Sequence, residues 1–74
     1  MNELTISLEE PMKKIFFEVQ QHKAMPFLEI AAVTGVRGDQ LKESISFLLR
    51  ENLIKLSNAE DMANSIVSVN GKYF

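Results

Sequence analysis

Hydrophobic and polar positions change their period along this chain, and each change marks an element. Leu4, Ile6 and Leu8 alternate with Thr5 and Ser7, the two-residue period of a short strand or packed N-terminal arm over residues 1–9. Met12, Ile15, Phe16 and Val19 then fall at i, i+3, i+4 and i+7, which predicts a first helix from about Glu10 to Lys23. Ser7 and Glu10 have capping-box spacing, and Pro11 suits the opening turn. Met25-Pro26 ends that helix, because a residue before proline disfavours the α region. A second helix is predicted from Phe27 to Thr34, with Leu28, Ala31 and Ala32 toward the core and Ile30 and Val33 flanking them. Gly35 stands where the chain must turn sharply, in the left-handed conformation that glycine adopts without steric cost. A third helix runs from Gly38-Asp39 to about Glu51. Leu41, Ile45, Leu48 and Asn52 lie on one side, Leu49 beside them, and Asp39 complements the helix dipole.

After Asn52 the period falls to that of extended chain. Leu53 to Leu56 and Ile66 to Val69 read as strands. Asn70-Gly71 has the strongest short hairpin chemistry, because both central positions of a type I′ turn need positive φ, and Lys72-Tyr73-Phe74 would be the returning strand. Ser57 to Ser65 is polar and mildly acidic, and Ser57 with Glu60 has capping-box spacing that suits a single helical turn. The β tip is either that loop or the Asn70-Gly71 turn, and turn chemistry favours the latter. The whole reads as one α+β domain of three helices and a small antiparallel β element, without internal repeats, low-complexity segments or linkers.

Over about Glu10 to Phe74 the chain resembles the winged helix-turn-helix family. Ala31 precedes Gly35 by four residues, Leu41 and Ile45 follow it by six and ten, and LLRENLI is similar to the family's helix end that leads into the first wing strand. The resemblance implies a single domain over residues 1–74, with the wing in residues 53–74. Winged helices serve as transcription regulators, and others bind only proteins, as in the small winged helix attached to the eukaryotic single-strand-binding complex. The resemblance therefore implies a small DNA-binding transcriptional regulator acting as a homodimer on double-stranded DNA, with helix 3 in the major groove. Gln40, Glu43 and Ser46 would be nearest base edges, Arg37 and Lys42 would hold phosphates, and Asn70 with Lys72 would reach the flanking backbone. The alternative is a non-catalytic protein-protein interaction module on the same fold.

Charge changes the weighting of these two. Eight basic and ten acidic residues give a net charge of -2, whereas most compact DNA-binding domains carry a basic excess that neutralises phosphate. The third helix interleaves Arg37, Lys42 and Arg50 with Asp39, Glu43 and Glu51. Arg37, Lys42, Lys55 and Lys72 would make about four phosphate contacts, which implies roughly a hundredfold loss of affinity from 50 to 200 mM salt. The absence of cysteine excludes disulfides, thiolate metal sites and a Cys nucleophile, and suits a reducing, cytoplasmic setting. No apolar run of membrane-spanning length occurs, and MNELTISLEE lacks the features of a signal peptide.

The remaining candidate chemistry has plain structural accounts. Arg37-Gly38-Asp39 spells an adhesion tripeptide, and reads here as a helix start. His22 is the only histidine and has no second ligand type to join it, so it reads as a solvated residue near the end of helix 1. Glu9-Glu10 and Glu60-Asp61 are neighbours at helix starts, whereas acid-base catalysis needs convergent groups in different environments. No phosphate-cradling loop, G-x-S-x-G or H-E-x-x-H occurs, so the expectation is no enzyme, no cofactor and no metal. Phe17, Phe47 and Phe74 are either covered by the wing and the N-terminal arm or form an exposed patch for a dimer or protein partner. The Leu4-Ile6-Leu8 arm could add a strand to a partner's sheet edge.

Overall fold

The computed structural model describes residues 9–73. The alternating Leu4-Ile6-Leu8 arm, the Ser7 half of the first capping box and Phe74 lie outside the described residues. Three α-helices, α1 (Met12–His22), α2 (Phe27–Thr34) and α3 (Gly38–Arg50), combine with strands β1 (Ala24–Pro26), β2 (Ile54–Leu56) and β3 (Ile66–Val69). Two 3-10 turns, Met62–Asn64 and Gly71–Tyr73, complete the chain order. The sheet is antiparallel in the order β1-β3-β2, so its central strand comes last. Met25 and Leu56 both sit opposite Val67, and Ala24 and Lys55 both sit opposite Ser68.

The apolar stripe of α1 turns inward as its spacing predicts, with Ile15, Phe16 and Val19 buried. Pro11 caps the helix without any side-chain hydrogen bond. Met25-Pro26 does more than stop α1. It forms β1, whose Met25 side chain is buried while Ala24 and Pro26 face outward. Three residues are too few to show a period, which is why the sequence pattern registers only a break.

The α2 boundaries match the predicted ones, but its inward face differs. Phe27 and Ile30 are buried, Ala31 is half-buried and Ala32 is exposed, while Leu28 and Val33 are 64% and 51% exposed. The helix springs directly from β1, and its first amide donates to the carbonyl oxygen of Ser65 (3.0 Å), the last residue of the loop before β3, so strand and loop together anchor its first turn. Thr34 Oγ1 donates to the Ile30 carbonyl (2.6 Å) and accepts from the Val36 amide (3.2 Å). Gly35, at φ 78°, donates to the Ala31 carbonyl and ends α2, as its position requires. Val36 then tucks into the core.

The α3 helix seats Leu41, Ile45 and Leu48 inward, with Ser44 on the same buried side, its hydroxyl satisfied by the Gln40 carbonyl (2.8 Å). Asn52 does not extend that side. It is exposed, at φ 60°, and reverses the chain so that the Leu53 amide reaches the Leu48 carbonyl. Leu53, Ile54, Val67 and Val69 close the core against α1 and α3.

The Asn70-Gly71 hairpin does not form. Both neighbours of β3 are already in place, β1 on one side and β2 on the other, so a strand returning after Val69 has no edge to pair with. The chain instead enters the 3-10 turn Gly71–Tyr73. The hairpin tip is therefore the Ser57–Ser65 loop, closed by reciprocal bonds between Ser57 and Ile66.

Candidate nucleic-acid interface

The exposed side of α3 is polar and charged. Taking about 100° per residue, Lys42, Ser46, Asp39, Arg50 and Glu43 fall within an arc of about 100° opposite Leu41. Asp39, Lys42, Glu43 and Arg50 are exposed, and Ser46 is half-buried. Gln40, also exposed, lies off this arc toward Ser44 and Phe47, and its carbonyl oxygen serves the Ser44 hydroxyl. Arg37 stands in extended conformation immediately before the helix, with Gly38 at φ 61° and Asp39 in the first turn. The tripeptide Arg37-Gly38-Asp39 thus builds the start of α3.

Arg50 belongs to this surface, and the set of candidates from the sequence left it out. Its guanidinium carbon lies 5.8 Å from the centre of the Phe47 ring, within cation–π range. Its spacing from Lys42 and Ser46, eight and four residues, was the signal that could have found it. Phe47 is half-buried and packs against the core, so it is not a free interface anchor. Phe17, by contrast, is 55% exposed.

The remaining candidates lie elsewhere. Asn70 is committed to the fold: its Nδ2 donates to the Asn52 carbonyl (2.6 Å), its backbone amide to the Leu53 carbonyl (2.9 Å), and its Oδ1 accepts from the Lys72 amide (3.2 Å). These bonds tie Asn70 to the turn at the C-terminal end of α3, while Arg37 stands at the opposite end. Lys72 is exposed in the terminal 3-10 turn. The structure brings Lys42, Glu43 and Ser46 onto one face, and does not gather Gln40, Asn70 and Lys72 with them.

The hairpin tip carries Glu60 and Asp61 and no cation. It is held in shape rather than extended. The buried Ser65 hydroxyl accepts from the Asn58 amide (3.1 Å) and lies within bonding distance of the Asn58 and Asp61 carbonyl oxygens. The Glu60 amide donates to Asn58 Oδ1 (3.1 Å), and Asn64 Nδ2 to Asp61 Oδ2 (2.8 Å). The predicted Ser57–Glu60 capping box is absent, since Ser57 Oγ accepts from Ile66 instead (2.9 Å). The helical turn comes slightly later, at Met62–Asn64, where it packs on α2.

Comparison with protein-family models, with curated proteins and with solved structures finds no match to this chain. His22 is exposed, its Nδ1 donating to the Glu18 carbonyl (2.9 Å). Among the described residues no three His, Cys, Asp or Glu side chains are placed to share a metal ion, and no helix is long and apolar enough to cross a membrane.

Proposed function

We propose that this domain is a winged helix-turn-helix and that it acts as a small transcriptional regulator, binding double-stranded DNA through α3. The element order, with β1 between α1 and α2 and a β2–β3 hairpin after α3, accords with that architecture. The observation that carries the reading is the polar outer stripe of α3, where Lys42, Ser46 and Arg50 follow the sharp Gly35 turn while every large apolar residue of the stripe's opposite side is buried. Lys42 and Arg37 would neutralise phosphates, Arg50 would extend that contact, and Glu43 and Ser46 would face base edges, a carboxylate being able to accept from cytosine. The acidic hairpin tip supplies no phosphate contact. With Lys55, exposed on β2, the cations amount to about four contacts per monomer and a modest, strongly salt-dependent grip.

Fluorescence anisotropy against mixed-sequence duplex at low salt tests this. Binding should weaken roughly a hundredfold between 50 and 200 mM salt, and Lys42→Ala should lower the salt slope by about one. No binding at high micromolar protein rejects the DNA reading. The second reading, a non-catalytic protein-interaction module, is favoured by a different observation: α2 turns Leu28, Ala32 and Val33 outward, with Glu29 the only charge from Ala24 to Val36.

A further inference from the structure

Two helix faces outside α3 expose apolar side chains within rims of opposite charge. On α1, Phe17 projects between Lys13 and Lys14, one turn before it, and Gln20 and Gln21, one turn after; Phe17 is more than half exposed and both lysines are exposed, while the nearest carboxylates, Glu10 before the helix and half-buried Glu18 facing His22, lie at the margin of this face. On α2, Leu28, Ala32 and Val33 span an arc of about 140° that includes Glu29. The acidic hairpin tip packs beside this helix. The first α2 amide bonds the Ser65 carbonyl, and the Ser65 hydroxyl lies 3.0 Å from the Asp61 carbonyl, so Glu60 and Asp61 are tethered beside the start of α2. Residues 56–71 contain no cation, and neither do residues 24–36.

We propose that a second copy of this chain is the partner for both faces. The basic, phenylalanine-centred face of α1 in one copy docks on the acidic, leucine–valine face of α2 in the next. An apolar side chain meets apolar side chains at the centre, and lysines meet carboxylates around it. The contact is heterologous, since different patches meet, so a dimer retains one unused face of each kind, one on each copy, for further addition unless the rotation closes a ring. Its apolar centre is small, far below that of a standard interface, which sets self-association in the range of tens to hundreds of micromolar. Added salt weakens it, because the rim pairs are solvent-exposed. This inference does not rest on DNA binding, and its test contains no nucleic acid.

Sedimentation velocity of the full chain from about 10 µM to about 1 mM reads the outcome. The wild-type mean mass should rise with concentration, and should rise less at high salt. Phe17→Asp and Leu28→Asp should each remain monomeric throughout, since every contact needs one intact face of each kind. An equimolar mixture of the two should recover association, and should stop at the dimer, because only one productive pairing survives. Circular dichroism confirms that each variant is folded. The double variant Lys13→Glu/Lys14→Glu and the single variant Glu29→Lys alter exposed charges only, and give the same result: weaker alone, restored when mixed. A wild-type chain that stays monomeric to about 1 mM overturns the proposal. So does a mixture of folded variants that fails to associate, since the two faces would then not be each other's partners.

Discussion

Lys23, Gly35 and Asn52 each follow a helix and each has positive φ, at 69°, 78° and 60°. Only one of the three is a glycine. At Gly35 an added Cβ would meet nothing within 4 Å, so the cost of Gly35→Ala is backbone strain alone. Thermal unfolding should show a loss of about 1 kcal/mol, or about 4–8 °C in a domain of this size. Lys23 is the converse case. Its backbone, at φ 69° and ψ -40°, is held in place because its carbonyl accepts the Val69 amide (2.9 Å) from the central strand. A glycine at this position would remove backbone strain of about 1 kcal/mol, and comparing Lys23→Gly with Lys23→Ala in the same measurement reads that strain, the glycine variant being the more stable of the two. Gly35 was legible in the sequence because glycine advertises the conformation. Lys23 was not, because a tertiary hydrogen bond imposes its conformation and no local residue choice records it.

Among the elements, α3 was the easiest to read and α2 the hardest, for one reason. In α3 polar and charged residues fill most of the turns between Leu41, Ile45 and Leu48, so a single face satisfies the pattern. In α2, FLEIAAVT, six of eight residues are apolar, and several rotations bury a similar area. Tertiary anchoring decides among them, through β1 directly before α2 and the Ser65 bond to the first α2 amide. Chemical denaturation should therefore separate two neighbours of similar size. Ile30→Ala should cost about 2–5 kcal/mol, and Leu28→Ala less than about 0.5 kcal/mol. If Leu28→Ala costs as much as Ile30→Ala, the observed rotation of α2 is wrong. The Asn70-Gly71 hairpin fails at the same scale: its turn chemistry is sound, but pairing capacity is a property of the sheet, and β3 has none left. Asn70 serves instead as a clasp between the last strand and the end of α3.

For the molecule as a whole, charge is sorted by face more than its net value of -2 suggests. The charges next to Phe17 on α1 are basic, the α2 face and hairpin tip acidic, and the α3 stripe mixed. A net charge cannot reveal that division, and neither can a motif. Of the candidate contacts, Lys42, Glu43 and Ser46 were recoverable from helical spacing alone, while the engagement of Asn70 with Asn52 spans eighteen residues and left no local trace. The salt dependence predicted for DNA and that predicted for self-association come from different lysines, so variants at Lys13 and Lys14 should leave duplex affinity within about twofold while changing sedimentation.

The position of β3 has a consequence for how the molecule is made. A ribosome delivers both outer strands before the one that joins them, so β1 and β2 have no strand partner among the described residues until Ile66–Val69 emerges. Val67 and Val69 also complete the interior, which remains open to water until then. A nascent chain halted at Ser65 should show helical circular dichroism without a cooperative melt, and gain the melt only when the next few residues are added. Maturation of the whole domain is thereby timed by its final four-residue strand.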